Sequence, residues 1–424
     1  MSEKSKAERS KHLRERLNTE LQRASLDQCV KCTICETSCP VSAVTPLFSG
    51  PKFVGPQGER FRDGVSVDHS VDYCSSCGTC SVVCPQGVNV AELNSLARAV
   101  MKAEHGVPMR DRLITQTTLM GQGMTPVAPL ANAVLGNKVA RIAMEKVVGV
   151  HRNAPMPTAR TQTLHSWLKK RPARTKAPTR GAVVYFHGCA GGYFEVDAAK
   201  KAVEVLEHLG FEVLVPEQGC CGLAEQSNGL FDQATKSVRA LVRQLRSAGQ
   251  DLTIVSTAGS CAGMLKHEAH QILGLHDSEL LDVGTRMREI SEFLMELHAA
   301  GELPTDFAPV QMRLPYHAPC QLKSQGIGTP ASELLRLIPG LDVVDSEVVC
   351  CGIAGTYGLK KEKYDIAQAV GKPLFDMVRA NEQGLAACDT ETCRWQIENS
   401  TGVRTVHPIV LVHQAYGLGE PGVG

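Results

Sequence analysis

Two cysteine motifs constrain the fold of this chain more than any other feature. Each has the spacing C-x2-C-x2-C-x3-C-P, which is typical of bacterial proteins with two [4Fe-4S] clusters. They cover Cys29–Pro40 and Cys74–Pro85. Three thiolates two residues apart bind one cubane, and the fourth cysteine, before the proline, reaches the neighbouring cluster. The spacing therefore predicts two quartets of ligands. The first quartet is Cys29, Cys32, Cys35 and Cys84. The second quartet is Cys39, Cys74, Cys77 and Cys80.

Structural zinc and disulfide bonds are the alternative uses of these cysteines. Zinc sites usually pair two C-x2-C units rather than two quartets that end in proline. Disulfides need an oxidising compartment, but residues 1–20 are charged and lack the apolar core of a signal peptide. No run reaches the roughly 18 apolar residues of a membrane-spanning helix. The 17 cysteines are therefore expected in a reducing cytoplasm, where clustered thiols indicate metal or redox chemistry.

Charge and missing motifs exclude several functions. The 45 Lys and Arg residues nearly balance the 44 Asp and Glu residues, which argues against a general nucleic-acid-binding protein. The sequence has no G-x-G-x-x-G after a predicted strand, no G-x-S-x-G and no Walker A loop. Any hydride chemistry is therefore expected to belong to a partner flavoprotein.

The second half of the chain contains an internal repeat. Three pairs of matching cysteines lie 131, 130 and 132 residues apart, respectively: Cys189 and Cys320, Cys220 and Cys350, and Cys261 and Cys393. Each unit is predicted to alternate strands and helices, with strands at 182–187, 211–216 and 252–257, and at 312–317, 341–345 and 385–387. The predicted helices include 196–209 and 331–338. This pattern indicates a duplicated α/β unit with a small parallel sheet and cysteines at the carboxyl ends of its strands.

Each repeat supplies a candidate metal site around a Cys-Cys-Gly sequence. The glycine, free of Cβ restrictions, lets both sulfurs turn inward. Unit one offers Cys189, Cys220, Cys221 and Cys261; unit two offers Cys320, Cys350, Cys351, Cys393 and, as a candidate fifth ligand, Cys388. These sets suit a further [4Fe-4S] cluster or zinc, and the alternative is buried free cysteine. His187 and His317 are candidate hydrogen-bond donors to the centres or structural histidines bonded to the backbone.

The predicted fold class is a multidomain α+β chain, in which a helical two-cluster ferredoxin-like domain precedes two duplicated α/β cysteine-rich units. The predicted boundaries are a polar N-terminal segment at 1–25, the ferredoxin-like domain at 26–105, an amphipathic helix and basic linker at 106–180, and the two units at 181–300 and 301–424.

The twofold Cys…Cys-Cys-Gly…Cys pattern behind a double-cubane motif resembles the cysteine-rich (CCG) domain family. That family includes iron-sulfur components of heterodisulfide reductase, glycolate oxidase and anaerobic glycerol-3-phosphate dehydrogenase, and the pattern is most similar to the C component of the last. The similar stretches include Tyr316–Cys320, Cys350–Gly358 and Glu391–Glu398. The family motif ends in Cys-x-x-Cys, but Ala258 and Thr390 stand where the first of these cysteines is expected.

The resemblance implies an iron-sulfur electron-transfer and membrane-docking subunit. It would take electrons from a flavoprotein dehydrogenase, which oxidises glycerol 3-phosphate, and pass them to quinone. An accompanying membrane-associated subunit would lie beside it. The alternative is a subunit of a heterodisulfide-reductase-like or a glycolate- or lactate-oxidising complex. The missing thiolates at Ala258 and Thr390 argue against a full disulfide-cleaving cluster.

One stretch suggests contact with a membrane surface. No acidic residue occurs between Lys146 and Glu195, and Trp167 lies within this basic span. Just before it, apolar residues fall on one helical face, although Lys146 interrupts that face: Leu135, Val139, Ile142, Ala143, Val147 and Val150. We therefore expect peripheral attachment to the inner face of the cell membrane. The alternative is a helix packed on the core, followed by a solvated linker.

Overall fold

The computed structural model describes residues 3–24, 28–58, 60, 67–172, 174, 177–381 and 384–418. The first part is helical and comprises α1 (Glu3–Arg23), α2 (Ile34–Thr37), α3 (Thr79–Val82), α4 (Val90–His105), α5 (Met109–Ile114), α6 (Thr117–Met124), α7 (Ala128–Gly136), α8 (Lys138–Val147) and α9 (Leu164–Lys170). Short 3-10 or π turns cover Phe53–Gln57, His69–Tyr73, Thr125–Val127, Met264–Glu268 and Tyr357–Leu359.

Helix α1 packs along α4. Leu13 and Leu17, one turn apart, are buried, since residues at i and i+4 share a helix face. Arg14 pairs with Glu104 at 3.1 Å, and the Arg16 guanidinium donates to the carbonyl of Ile272 at 3.0 Å. The polar N-terminal segment is thereby held against both the ferredoxin-like region and unit one.

Unit one contains a four-stranded parallel sheet in the order β2-β1-β3-β4. The strands are β1 (Ala182–Phe186), β2 (Glu212–Leu214), β3 (Ile254–Ser256) and β4 (Met287–Glu289). The helices are α10 (Gly188–Tyr193), α11 (Val196–His208), α12 (Leu223–Ser227), α13 (Phe231–Arg246), α14 (Gly259–Gly263), α15 (Ala269–Gln271), α16 (Ser278–Arg286) and α17 (Ile290–Ala299). Apolar residues at helical spacing, such as Ala234, Val238 and Leu241 on α13, are fully buried.

Unit two repeats this sheet in the order β6-β5-β7-β8. Its strands are β5 (Met312–His317), β6 (Leu341–Asp345), β7 (Leu385–Cys388) and β8 (Arg404–Val406). The helices are α18 (Cys320–Lys323), α19 (Pro330–Arg336), α20 (Tyr364–Arg379), α21 (Glu391–Thr401) and α22 (Pro408–Ala415). A shared apolar core joins α11 and α17 of unit one to α19 and α22 of unit two.

The predicted fold class is confirmed, with one omission in each sheet. The prediction gave three strands per unit, but the fourth strands, β4 and β8, have only three residues each. So short an edge strand shows no alternation of apolar and polar residues, and β4 runs directly into α17. The first three strands of each unit begin and end within two residues of their predicted limits.

The amphipathic segment predicted before the basic linker is divided between two helices, α7 and α8. The chain breaks at Asn137, whose side chain accepts hydrogen bonds from the backbone amides of Val139 and Ala140 and begins α8. The linker is also tied to the protein: Arg171 binds Glu207 through two hydrogen bonds, at 2.7 and 2.9 Å, and lies over the Trp167 ring. Arg160 pairs with Asp197 at 3.4 Å. Lys176 of the linker lies outside the described residues.

The sheet order explains where the cysteines meet. In each sheet the chain leaves the first strand in one direction for the second strand and in the other for the third. Ligands of open parallel sheets bind at such switch points, beyond the carboxyl ends of the strands. Cys189, Cys220 and Cys261 follow β1, β2 and β3, and Cys320, Cys350 and Cys393 follow β5, β6 and β7.

Candidate metal centres

The two ferredoxin-type loops share an unusual backbone. Lys31 and Thr33 in the first loop have φ values of 60° and 68°, and Ser76 and Gly78, at the matching positions of the second, have values of 55° and 80°. Left-handed backbone costs a non-glycine residue about 1–2 kcal/mol. Three such residues at equivalent points indicate that each loop is bent around a centre, as at functional sites that store strain.

The fold brings the first quartet together in the crossed arrangement. Cys29, Cys32, Cys35 and Cys84 line one small cavity of about 20 Å³. Burial raises the pKa of Cys35 to about 11, and Glu36, Cys29 and Cys84 add to the rise. The Val88 amide donates to the Cys84 sulfur at 3.3 Å. Cys84, from the second motif, therefore lies with the first three cysteines, and its binding of their cluster stays a prediction.

The second quartet is assembled in the same crossed way. Burial raises the pKa of Cys80 well above its ordinary value, and Cys77, Cys74 and Cys39 add to the rise. Burial likewise raises the pKa of Cys39, with Cys74 contributing. Cys74, Cys77 and Cys80 are buried, whereas Cys32 of the first quartet is exposed. The second quartet is thus the inner one.

A cluster of buried cations lies against the second quartet. Arg98 of α4 donates to the carbonyls of Cys74 and Val71 and, at 2.8 Å, to that of Ser227 in unit one. Lys102 and Lys363 both bind Asp72, at 2.9 and 2.8 Å. Cysteine spacing alone gave no sign of this cluster, since its cations come from α4 and unit two.

Unit one gathers its four predicted cysteines. The Gly222 amide donates to the Cys220 sulfur at 3.4 Å, and Gly222 has a φ of +84°. Hydrogen bonds from Cys189 and Cys221 lower the pKa of Cys220 well below its usual value. A hydrogen bond joins Cys221 to Cys261, so the four thiols form one connected group.

Unit two repeats this arrangement and adds a fifth thiol. The Cys320 and Cys350 sulfurs are 3.8 Å apart, and the Gly352 amide donates to the Cys350 sulfur at 3.3 Å. Hydrogen bonds from Cys320 and Cys351 lower the pKa of Cys350 well below its usual value. Cys393 contacts both Cys351 and Cys388. The displaced Cys388 therefore joins the group despite its position in the sequence.

The residues at the two missing family positions do not replace the thiols. Ala258 is buried and apolar, and the Thr390 hydroxyl lies 3.2 Å from that of Ser260. Unit one therefore has four thiols and unit two has five.

The two histidines differ in their surroundings. Burial lowers the pKa of His187 to about 3 and that of His317 to about 4, so both rings are neutral. His187 uses one nitrogen on the Gly188 carbonyl, at 2.6 Å, and the other on His165, at 3.3 Å. His317 contacts Ser346 at 3.3 Å, but its buried Nε2 finds no partner among the described residues. His187 thus fits the structural role, whereas His317 keeps a free nitrogen close enough to Cys350 for the two to interact electrostatically.

One cavity of about 190 Å³ connects these groups. It is lined by cysteines of both units and by Cys77 of the second quartet. Burial raises the pKa of Cys77 to about 12, and the largest electrostatic contribution comes from Cys350. The inner ferredoxin-type site therefore adjoins the site of unit two, a juxtaposition that the sequence did not predict.

The donor sets fit iron-sulfur centres. In the described part of the chain, which includes every cysteine, all 17 are free thiols, and thiolate is the ligand that iron-sulfur clusters and soft metals prefer. Within the same ranges, no three His, Cys, Asp or Glu side chains converge at the distances of a single metal ion. Bound clusters would supply one-electron transfer.

Comparison with known proteins matches both halves of the chain. Residues 25–88 match a 4Fe-4S dicluster domain, and residues 183–266 and 314–398 match the cysteine-rich (CCG) domain. These matches show that the chain carries iron-sulfur clusters. None of the helices in the described ranges combines the length and apolar character needed to cross a membrane.

Three relatives share most of their length with this chain. The C component of the anaerobic glycerol-3-phosphate dehydrogenase of Escherichia coli K12 is 35% identical over 92% of this chain and 98% of its own. The D component of the dihydromethanophenazine:CoB–CoM heterodisulfide reductase of Methanosarcina barkeri is 26% identical over 84% of both chains. The glycolate oxidase iron-sulfur subunit of Escherichia coli K12 is 24% identical over 92% of this chain and 94% of its own. The chain therefore belongs to the family of iron-sulfur oxidoreductase subunits represented by the C component of anaerobic glycerol-3-phosphate dehydrogenase.

Proposed function

We propose that this chain is the electron-transfer and membrane-docking subunit of an anaerobic glycerol-3-phosphate dehydrogenase complex. It accepts electrons singly from a flavoprotein subunit and delivers them to the quinone pool in anaerobic respiration. It works in the cytoplasm, attached peripherally to the inner face of the cell membrane beside a further membrane-associated subunit. The candidate ligands are the two quartets and the cysteines of both units.

One observation carries this proposal: the first quartet reaches the surface, and the second quartet lies against the cysteines of unit two. The first quartet includes the exposed Cys32, whereas Cys74, Cys77 and Cys80 of the second quartet are buried. Cys77 of the second quartet then interacts with Cys350 of unit two. A donor that docks at the exposed end would therefore be connected to the interior by the chain's own candidate ligands.

The alternative, a subunit that itself cleaves disulfides, is favoured less by unit one. Unit one has only four thiols, because Ala258 is apolar where the family has a cysteine. Unit two, with Cys388, keeps five. Glycolate- or lactate-oxidising complexes share the same electron-transfer chemistry and differ in the flavoprotein partner.

The test is reduction by substrate within the assembled complex. The chain would be purified anaerobically in complex with its flavoprotein subunit and mixed separately with glycerol 3-phosphate, glycolate and lactate. We expect glycerol 3-phosphate alone to produce the electron paramagnetic resonance signals of reduced clusters. Cluster reduction by glycolate or lactate, with none by glycerol 3-phosphate, would contradict the proposal.

A further inference from the structure

Helix α8 buries its polar face and exposes its apolar face, unlike an ordinary surface helix. Its inner face carries Arg141 and Glu145, which are only 7% and 4% exposed. Arg141 donates to the carbonyls of His151, Arg152 and Ala154 at 2.6–3.0 Å. On the opposite face, Val139 and Val147 are 75% and 85% exposed. A helix on a water-exposed surface normally shows the reverse pattern.

Helix α7 has the same inversion. Asn132 faces inward and exchanges two hydrogen bonds with the backbone of Ala159, at 2.8 and 3.0 Å. Leu130 and Val134, two residues to either side and therefore about 200° around the helix, are 66% and 49% exposed.

Helix α5 repeats it a third time. Asp111 is buried and binds Lys360 at 2.9 Å. Met109 and Leu113, again two residues to either side, are 73% and 50% exposed. Helices α5, α7 and α8 are thus each fixed through a polar inner face and present apolar side chains outward, as helices at interaction surfaces do.

The charge around this face suits an anionic partner. No Asp or Glu occurs from Arg112 to Met144, and the two acidic residues that border this stretch, Asp111 and Glu145, are both buried. Lys138 and Lys146 are exposed on α8. An apolar face with a basic rim matches the interfacial region of an anionic bilayer.

Helix α6 separates this face from the cavity at the metal sites. Leu119 is 63% exposed, while Thr117 and Met120 line the cavity. Metal centres would occupy the cysteine end of that cavity. The rest of the lining holds polar side chains such as Thr117 and Glu268 and a group of apolar ones: Ile114, Met120, Val150, Pro155, Met156 and Pro157.

A buried hydrogen-bond donor without a described partner lies beside the same cavity. Gln226 is only 2% exposed and lines the cavity, yet its amide nitrogen has no partner in the described part of the chain. Leaving a buried donor unpaired is costly, so a ligand that brings an acceptor oxygen would be favoured.

We propose that α5–α8 lie against an anionic lipid bilayer, and that the cysteine-free part of the cavity binds the ring of an isoprenoid quinone entering from that bilayer. A ring oxygen accepts a hydrogen bond from Gln226. This inference rests on the proposed function and identifies the surface and the binding site that serve it.

The bilayer contact is tested by flotation of the anaerobically purified full chain with vesicles. Vesicles containing phosphatidylglycerol would be compared with vesicles of phosphatidylcholine alone. We expect binding to the anionic vesicles and at least tenfold weaker binding after Val139→Glu with Val147→Glu. Leu281→Glu, at an exposed apolar position on α16 (45% exposed), is the control and should bind normally.

Failure of the wild-type chain to bind anionic vesicles would overturn the bilayer contact and indicate that a protein subunit covers this face. An equal loss with Leu281→Glu would also overturn it.

The quinone site is tested by equilibrium dialysis of the holoprotein with a short-chain quinone. We expect Gln226→Leu to weaken binding about tenfold and to leave the iron content unchanged. Gln368→Leu is the control, because Gln368 also has an amide nitrogen without a described partner but does not line the cavity. Unchanged binding by Gln226→Leu would overturn the site.

Cluster reduction by glycerol 3-phosphate tests the proposed function separately from this inference, since it needs neither lipid nor quinone. Normal reduction with either failure above would overturn this inference and leave the proposed function standing.

Discussion

Units one and two share a sheet, a strand order and a cysteine register, but they differ in their surroundings. Unit two adjoins the second quartet through Cys350, holds a fifth thiol in Cys388, and has a buried histidine nitrogen without a described partner. In unit one, Thr117 of α6 approaches Cys220, at 3.9 Å, and His187 is fully bonded. Duplication therefore supplied two equivalent scaffolds, and the neighbouring segments made their sites unequal.

The largest expected effect concerns metal content. Two equivalent variants, Cys350→Ser and Cys220→Ser, each remove one thiol from one unit. In both units this is the thiol whose sulfur accepts a hydrogen bond from the following glycine amide. We expect Cys350→Ser to remove a redox-active iron centre, because unit two has five thiols and the cluster neighbour. Cys220→Ser should remove zinc or no metal at all, because we expect unit one to hold a different centre or none.

Anaerobic iron and zinc determinations on both variants measure this difference. Equal iron loss from the two would refute the asymmetry, and unchanged metal in both would show that the thiols only pack.

The next effect concerns the glycines after the cysteine pairs. A Cβ at Gly352 would lie 1.9 Å from the Ala367 carbonyl oxygen, whereas one at Gly222 would lie 2.8 Å from that of Ala234. Both positions also have left-handed φ values. We expect Gly352→Ala to destabilise the protein by roughly 3 kcal/mol or more and Gly222→Ala by roughly 2 kcal/mol. Anaerobic thermal unfolding midpoints rank the two, and a larger decrease for Gly222→Ala would contradict this ranking.

A smaller effect concerns the charge beside the second quartet. Lys363→Met removes a buried cation, and Asp72 retains Lys102 as its partner. Because a nearby positive charge favours the reduced cluster, the potential of this cluster should fall by on the order of 60 mV, a tenfold change for one electron. Redox titration followed by electron paramagnetic resonance measures the shift. Lys266→Met in unit one, where Lys266 pairs with Glu292, is the control and should leave that potential unchanged.

Raising the pH should lower the potential of the second cluster, as Lys363→Met does. Burial, with Lys360 adding to it, lowers the pKa of Lys363 to about 7. Raising the pH through 7 therefore removes its charge and should lower the potential of the second cluster. A pH dependence that persists unchanged in Lys363→Met would assign it to another group.

The smallest effect concerns the two histidines. His317→Asn should shift the spectrum or potential of the centre in unit two, since the unpaired ring nitrogen is suited to donate to it. His187→Asn should leave the centre of unit one unchanged, because the His187 nitrogens are already used. Equal shifts from both variants would remove this distinction between the units.

Cysteine spacing predicted much of the site but not the contacts between its parts. The C-x2-C-x2-C-x3-C-P motifs led to the crossed quartets, and the constant offsets of the Cys-Cys-Gly repeat led to two parallel sheets with cysteines at their carboxyl ends. Spacing is a local property, so it did not reveal that Cys77 meets Cys350, or that Arg98 and Lys363 surround the second quartet. Nor did it reveal that Asn137 caps a new helix within the apolar run, which divides the predicted amphipathic segment between α7 and α8.

The central claim, that electrons pass from the second quartet into unit two, is tested most directly by magnetic interaction between reduced centres. Electron paramagnetic resonance of the fully reduced wild-type protein should show spin coupling between the second ferredoxin-type cluster and a neighbouring centre. We expect Cys350→Ser to abolish this coupling and Cys220→Ser to preserve it. Coupling that survives Cys350→Ser but disappears in Cys220→Ser would place the electron path through unit one and contradict the account.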